Sequence, residues 1–252
     1  MTSVAAVQVN LRDDEDPAKR RHRMRRLVAD IDAEVIVLPE LWEVGPFAVA
    51  ENLDHAVPLD TWVSHMADLA PGRVLHAGSF LERDGEDLYN TSVVFGPSGE
   101  VLATYRKIHL FGFDTGEAVT LSAGSDVVAV ETPLGTTGLA TCYDLRFPEQ
   151  FRALVDAGAT AVLVATGWPE PRIDKWRLLT RARCTENQVW LIGANSTGHS
   201  NTTPMGGATV IVDPWGDVLA ELNEPGVLRV DIDAGLPERV RTQFPVLRDR
   251  RL

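Results

Sequence analysis

The stretch "GLATCYDLRFPEQ", residues 138 to 150, decides how this chain is read. It opens as a small, apolar run ending at Cys142, passes through Tyr143, Asp144 and Arg146, and reaches Pro148, where a first-turn proline is tolerated in a helix. The helical spacing that begins there runs to Gly158, a common stop. A strand, a turn and a helix in so short a span predict an α/β unit. They also bring a thiol to the elbow, where a nucleophile can meet helix N–H groups. Free cysteine is also among the most buried residue types, so the stretch by itself leaves a spacer and a nucleophile both open.

Short runs of Val, Ile, Leu and Ala recur on either side, at residues 3–9, 35–39, 74–80, 91–96, 101–106, 137–142, 161–166, 189–195, 208–213 and 227–232. Brief, nearly continuous apolar runs predict strands buried on both faces. Helical spacing is predicted for 16–33, 59–70, 148–158 and 172–188. In the first of these Met24, Leu27, Val28 and Ile31 share one face and the basic residues form a solvated one. "VVFGPSGEVLATY" and "VIVDPWGDVLAEL" place Pro and Gly between apolar runs, as hairpins do. The order implies an α/β fold with one mixed sheet or two, covered by helices. The charged tail "LPERVRTQFPVLRDRRL" is expected across the surface or on a partner subunit.

A chain of 252 residues without a composition break is expected to form a single domain, 1–252. With 44% hydrophobic residues, 24% charged and a net charge of -12, it repels nucleic acid and anionic membranes. No apolar run approaches the roughly 20 residues of a membrane span, and the opening "MTSVAAVQVNLRDDEDPAKR" lacks signal-peptide order, which predicts the cytoplasm. The two cysteines, Cys142 and Cys184, are expected to be reduced there, and no Cys/His spacing offers a metal site.

A reactive thiol needs partners. Glu40 in "VIVLPELW" follows a buried strand, where poor solvation raises a carboxylate's pKa and suits it to carry a proton. Lys107 in "ATYRKIHLFG" holds the same place after another strand and could stabilise an oxyanion. His109 offers a rival Cys–His pair. Spacing alone does not choose between Glu40 and His109.

Three segments together, "LPELW", "YRKIHLF" and "TCYDLRFPE", resemble the nitrilase superfamily of carbon-nitrogen hydrolases. The likeness extends through "VAAVQVN", "RARCTENQVWLIGAN", "VIVDPWGDVLAE" and "FPVLRDRR", nearly the whole chain. It implies a four-layer αββα sandwich of two mixed sheets flanked by helices, usually paired as a homodimer, with no metal or organic cofactor. It makes Glu40 the general base and acid, Lys107 the oxyanion stabiliser and Cys142 the nucleophile, with the backbone N–H of Tyr143 as a second oxyanion donor. Glu117, in "GEAVTLSAGSD", takes the place of a second glutamate that orients the lysine or the substrate.

"CYDLRFPE" looks more like the amidase branches, ω-amidase-like and deaminated-glutathione-amidase-like, than the nitrilases proper. That implies hydrolysis of a small linear amide, an α-keto acid amide among the candidates. Nitrile or N-carbamoyl hydrolysis and a non-catalytic module retaining the fold are the alternatives. Trp168 and Arg172 are expected to bound the pocket, with Arg172 available to a substrate carboxylate. Asp144 and Arg146 read as a structural ion pair or turn contact, and Cys184 as a packing residue. Two departures from the resemblance, Gly167 for Asn and Ser196 for Arg, are expected near the substrate entrance.

Overall fold

Side chains alternate across a strand, and here both sides of the central strands are apolar. In β1 (Thr2–Leu11), Val4 and Ala6 join one buried cluster while Ala5, Val7 and Val9 join another. In β8 (Ala161–Ala165) the same division separates Ala161 and Leu163 from Val162 and Val164. The shared cluster, with Val4, Ala6, Leu163 and Ile192, lies between two sheets. The other two lie beneath helices, which is why these strands are apolar throughout instead of alternating.

The computed structural model describes residues 1–251. The first half runs β1, α1 (Pro17–Ala29), β2 (Val35–Val37), α2 (Leu59–Met66), β3 (Val74–Asp84), β4 (Asp87–Phe95), β5 (Val101–Arg106), α3 (Glu117–Thr120), β6 (Ala129–Thr132) and β7 (Gly135–Thr141). The second runs α4 (Pro148–Asp156), β8, α5 (Ile173–Asn187), β9 (Trp190–Ala194), β10 (Ser196–Ser200), β11 (Thr203–Pro204), β12 (Thr209–Val212), β13 (Val218–Leu222), β14 (Gly226–Ile232) and α6 (Leu236–Gln243). One sheet is ordered β11-β10-β1-β2-β3-β4-β5, with β14 antiparallel to β1, and the other β13-β12-β9-β8-β7-β6. Met24 and Val28 of α1 and Trp62 and Met66 of α2 cover the first sheet; Phe151 and Leu154 of α4 and Trp176 and Cys184 of α5 cover the second. This is the expected αββα sandwich of two mixed sheets. No described helix is long and apolar enough to cross a membrane.

The strands β1, β2 and β3 are parallel, as are β7, β8 and β9. Because β4 reverses and β5 reverses again, β5 ends at the same edge as β2. That shared edge, outside the carboxyl ends of the strands, is where α/β sheets bind ligands.

Several boundaries and contacts differ from the sequence reading. The helix expected over 16–33 is confined to Pro17–Ala29, begun by Asp16, whose carboxylate accepts the N–H groups of Ala18 and Lys19. Its basic face is not wholly solvated. Arg20 is buried, bonded to Glu15 and donating to the carbonyls of Arg12 and Glu43, because it ties the helix to the loop after β2. The short edge strand β6 and the polar β10 and β11 escaped the apolar pattern; β10 forms because it extends alongside the end of β1, with Val9 opposite Ser196. The tail lies on its own chain: Gln188 donates to the Phe244 carbonyl, Arg241 to that of Ala159, and Arg250 pairs with Asp156.

Candidate active site

Four strand ends supply the site. The strand before Cys142 stops one residue earlier than expected, at Thr141, and Cys142 opens a tight 3-10 turn, Cys142–Arg146. It does so with φ 45°, a left-handed conformation that costs a non-glycine residue about 1–3 kcal/mol. The buried Asp144 holds the turn, because its carboxylate accepts the Thr141 N–H (2.8 Å), the Tyr105 hydroxyl (2.6 Å), the His109 N–H (3.0 Å) and His109 Nδ1 (2.8 Å). Tyr105 and His109 flank Lys107, so one carboxylate locks the thiol's turn to the lysine's strand end.

Lys107 is buried, and two of its three ammonium protons are committed: Nζ donates to Glu40 at 2.7 Å and to Glu117 at 2.6 Å. The third is free to meet a developing negative charge. Glu40 is equally buried, accepting Lys107 and Asn90 on Oε1 and the Gly167 N–H (2.8 Å) on Oε2. Glu117 opens α3 and accepts Lys107 and the Phe111 N–H on Oε2 and Asn90 (2.6 Å) on Oε1.

Burial raises the pKa of Glu40, the Lys107 ammonium opposes that rise, and Glu117 adds to it. Burial disfavours the charge on Lys107, yet the adjacent Glu117 and Glu40 carboxylates prevail and hold it well above the usual lysine range. Burial and then the Glu40 carboxylate push the half-buried Cys142 thiol up, against the pull of Lys107. The resting sulfur is therefore a thiol beside a carboxylate of raised basicity, an arrangement made for proton transfer as the sulfur attacks.

The structure brings Glu40, Lys107, Glu117, Cys142 and Tyr143 to one pocket, with Trp168, Arg172, Arg146 and Gly167 on its walls. His109 is not among the lining residues; Asp144 engages its Nδ1 and its ring stacks on Phe147 at 3.7 Å. Of the ion pair or turn contact expected of Asp144 and Arg146, the turn contact forms, the Asp144 carboxylate accepting the Thr141 N–H, and the ion pair does not, since Asp144 is filled by Tyr105 and His109. Arg146 instead lies over the Trp168 ring, 5.1 Å from its centroid, and faces the pocket. The exposed Arg172 lies over Phe111 at 5.2 Å, and among the described residues neither arginine has a carboxylate partner. Trp168 is buried and fixed by N–H donation to Asn195 and indole donation to the Arg172 carbonyl.

Gly167 lines the pocket as expected, but Ser196 does not; it is buried in β10 beside β1. Cys184, on the buried face of α5, packs against the Val212 carbonyl, the packing role expected of it. A Cβ at Gly167 would fall 2.3 Å from Pro46 Cγ and 3.2 Å from Glu40 Oε2. Gly167→Ala is therefore expected to displace Glu40 and lower kcat by about tenfold or more in a folded protein, because small misplacements at a reacting centre are costly. Unchanged steady-state kinetics would refute this. The sequence gives no sign of Asn90, and it marks Arg146 as an ion-pair or turn residue instead of a pocket residue. A lone Asn in "DLYNTSVVF" carries no local signal, and the Arg146 side chain is aimed by the turn.

The chain belongs to the carbon-nitrogen hydrolase family, whose model matches residues 3–242. It is 40% identical to a 2-oxoglutaramate amidase of Paenarthrobacter nicotinovorans, over 98% of this chain and 89% of that one. Its structure superposes on Saccharomyces cerevisiae Nit3, a member of branch 10 of the nitrilase superfamily, with TM-score 0.89 and 26% identity, covering 100% and 97% of the two chains. It also resembles a mutant of the amidase from Nesterenkonia sp. AN1 that shows Michael addition of acrylamide at its active site cysteine (TM-score 0.82, 27% identity, 99% of both chains).

Proposed function

We propose that this carbon-nitrogen hydrolase cleaves a small linear amide bearing a carboxylate, releasing ammonia and an acid, with Cys142 as nucleophile, Glu40 as base and acid, and Lys107 as oxyanion donor. The observation that carries the reading is the burial of Glu40 and Lys107 against the Cys142 thiol beneath two arginines that lack a protein carboxylate. The 2-oxoglutaramate amidase relative makes an α-keto acid amide the first candidate.

Sulfur attacks the amide carbon while its proton passes to Glu40. The oxyanion is held by the third Lys107 proton and the Tyr143 N–H. The C–N bond then breaks as Glu40 returns the proton to the leaving nitrogen, giving ammonia and a thioester. Water, losing a proton to Glu40, attacks the thioester; the C–S bond breaks, the acid departs, and the sulfur recovers its proton. Glu117 orients Lys107. Trp168 walls the pocket, and Arg146 and Arg172 receive the remote carboxylate, a pairing for which guanidinium geometry is suited. The same thiol acting on a nitrile would give a thioimidate. The protein works as a single cytoplasmic hydrolase domain over 1–252, paired as a homodimer and without a cofactor; light scattering after size exclusion tests the pairing.

Ammonia release over 2-oxoglutaramate, succinamate, a neutral amide of equal length and the matching nitrile tests this reading. Arg146→Leu is expected to raise KM for the carboxylated amides about 10- to 100-fold, with much less effect on the neutral one. Equal losses on both, or a preference for the nitrile, would count against it.

A further inference from the structure

Asn90 occupies a position that the catalytic reading leaves unexplained. The antiparallel register of β4 and β5 sets Thr91 opposite Arg106, so Asn90 is opposite Lys107, and the Lys107 N–H donates to the Asn90 carbonyl at 2.9 Å. Side chains of such opposed residues share a face. The Asn90 amide nitrogen donates one proton to Glu40 Oε1 (2.9 Å) and the other to Glu117 Oε1 (2.6 Å). It bridges the same two carboxylates that the Lys107 ammonium bridges, sharing Glu40 Oε1 with it and taking the other oxygen of Glu117.

The amide oxygen is the second observation. Asn90 is 1% exposed and its Oδ1 has no hydrogen-bond partner. Buried polar atoms are seldom left in that state. Flipping the amide would turn Oδ1 towards two carboxylate oxygens, replacing two charge-assisted bonds with two repulsions. The orientation that leaves oxygen unmatched is thus the one that serves Glu40 and Glu117.

We propose that Asn90 is a positioning residue that holds Glu40 ionised and aimed at Cys142 by bridging it to Glu117. This rests on the role of Glu40 given above. Asn90 supplies two protons without charge, so both carboxylates are served while Lys107 keeps its third proton for the substrate. A lysine or arginine in that place would remove the excess negative charge that makes Glu40 a base, and an aspartate would add a third acceptor. The charged and titratable groups around Glu40 are Lys107, Glu117 and Cys142, with Arg146 and Arg172 on the pocket wall.

A donor to an ionised carboxylate favours that form, so removing it makes Glu40 hold its proton to higher pH. The test is the pH dependence of Cys142 alkylation by iodoacetamide, followed by intact mass, in Asn90→Leu and the smaller Asn90→Ser, beside kcat on 2-oxoglutaramate. The acid limb, which belongs to the Glu40–Cys142 pair, is expected to move up by about one pH unit or more, with kcat about tenfold lower or worse. An unmoved limb in a folded variant overturns the proposal, and so does failure of both variants to fold, which would make Asn90 a folding residue only. Alkylation needs no amide substrate. A parent chain that hydrolyses no amide would sink the proposed function and still leave this limb to be read.

Discussion

Cys142→Ala is expected to abolish amide hydrolysis, a loss of at least about 10⁴-fold, while the protein stays folded. Folding survives because Cys142 is half-buried, keeps its Cβ on substitution, and has its turn fixed by Asp144 rather than by the sulfur. Glu40→Gln is the informative companion. It preserves size and abolishes the base, so hydrolysis is expected to fall by about 10³-fold or more. Yet the Glu40 carboxylate is one of the groups pushing the thiol up. Without it, the sulfur ionises at lower pH and remains open to stoichiometric alkylation, which intact mass will show. Full activity in Cys142→Ala would remove the nucleophile. A dead His109→Ala beside an active Glu40→Gln would restore the Cys–His alternative.

Lys107→Met is the second large effect, and it strikes both activity and stability. The oxyanion loses a charged donor, for which a fall of about 10²- to 10³-fold in kcat is expected. The fold loses the cation that bridges Glu40 and Glu117, and removing one member of a buried ionic cluster costs about 3–5 kcal/mol. The pH dependence of that cost follows from Glu40. Its native pKa is raised above the ordinary carboxylate value, so as pH falls the native state takes up this proton before the unfolded chain does. Protonation in that window therefore favours the folded state. In Lys107→Met the ammonium that opposes that rise is gone, and the Glu40 pKa rises further. The variant's deficit, measured by urea unfolding, is expected to be largest at pH 7 and to shrink towards pH 5. A deficit that is constant or grows on acidification would show that the two carboxylates do not share the charge of Lys107.

The places of the proposed trio, Glu40, Lys107 and Cys142, are legible because each follows directly on a short apolar run, although their roles are not. A carboxylate, an ammonium and a thiol after buried strands are anomalies that local pattern exposes. The continuous apolar character of β1 and β8 likewise announced strands covered on both faces. Resemblance then supplied the association of the three segments, which spacing alone had left open between Glu40 and His109.

What the sequence by itself determined is the order of the buried strands and of the longer helices between them, and the places where polar residues interrupt them, since both depend on neighbours along the chain. Which side chains meet was decided by tertiary structure. Cross-strand register, not sequence proximity, sets Asn90 beside Lys107 and hence between two carboxylates. The 3-10 turn Cys142–Arg146 separates Asp144 from Arg146, sending the carboxylate inward to Tyr105 and His109 and the guanidinium to the pocket. In the opening stretch, an ion pair or a turn contact was open to Asp144 and Arg146. The backbone between them turns, and that turn divides scaffold from binding site.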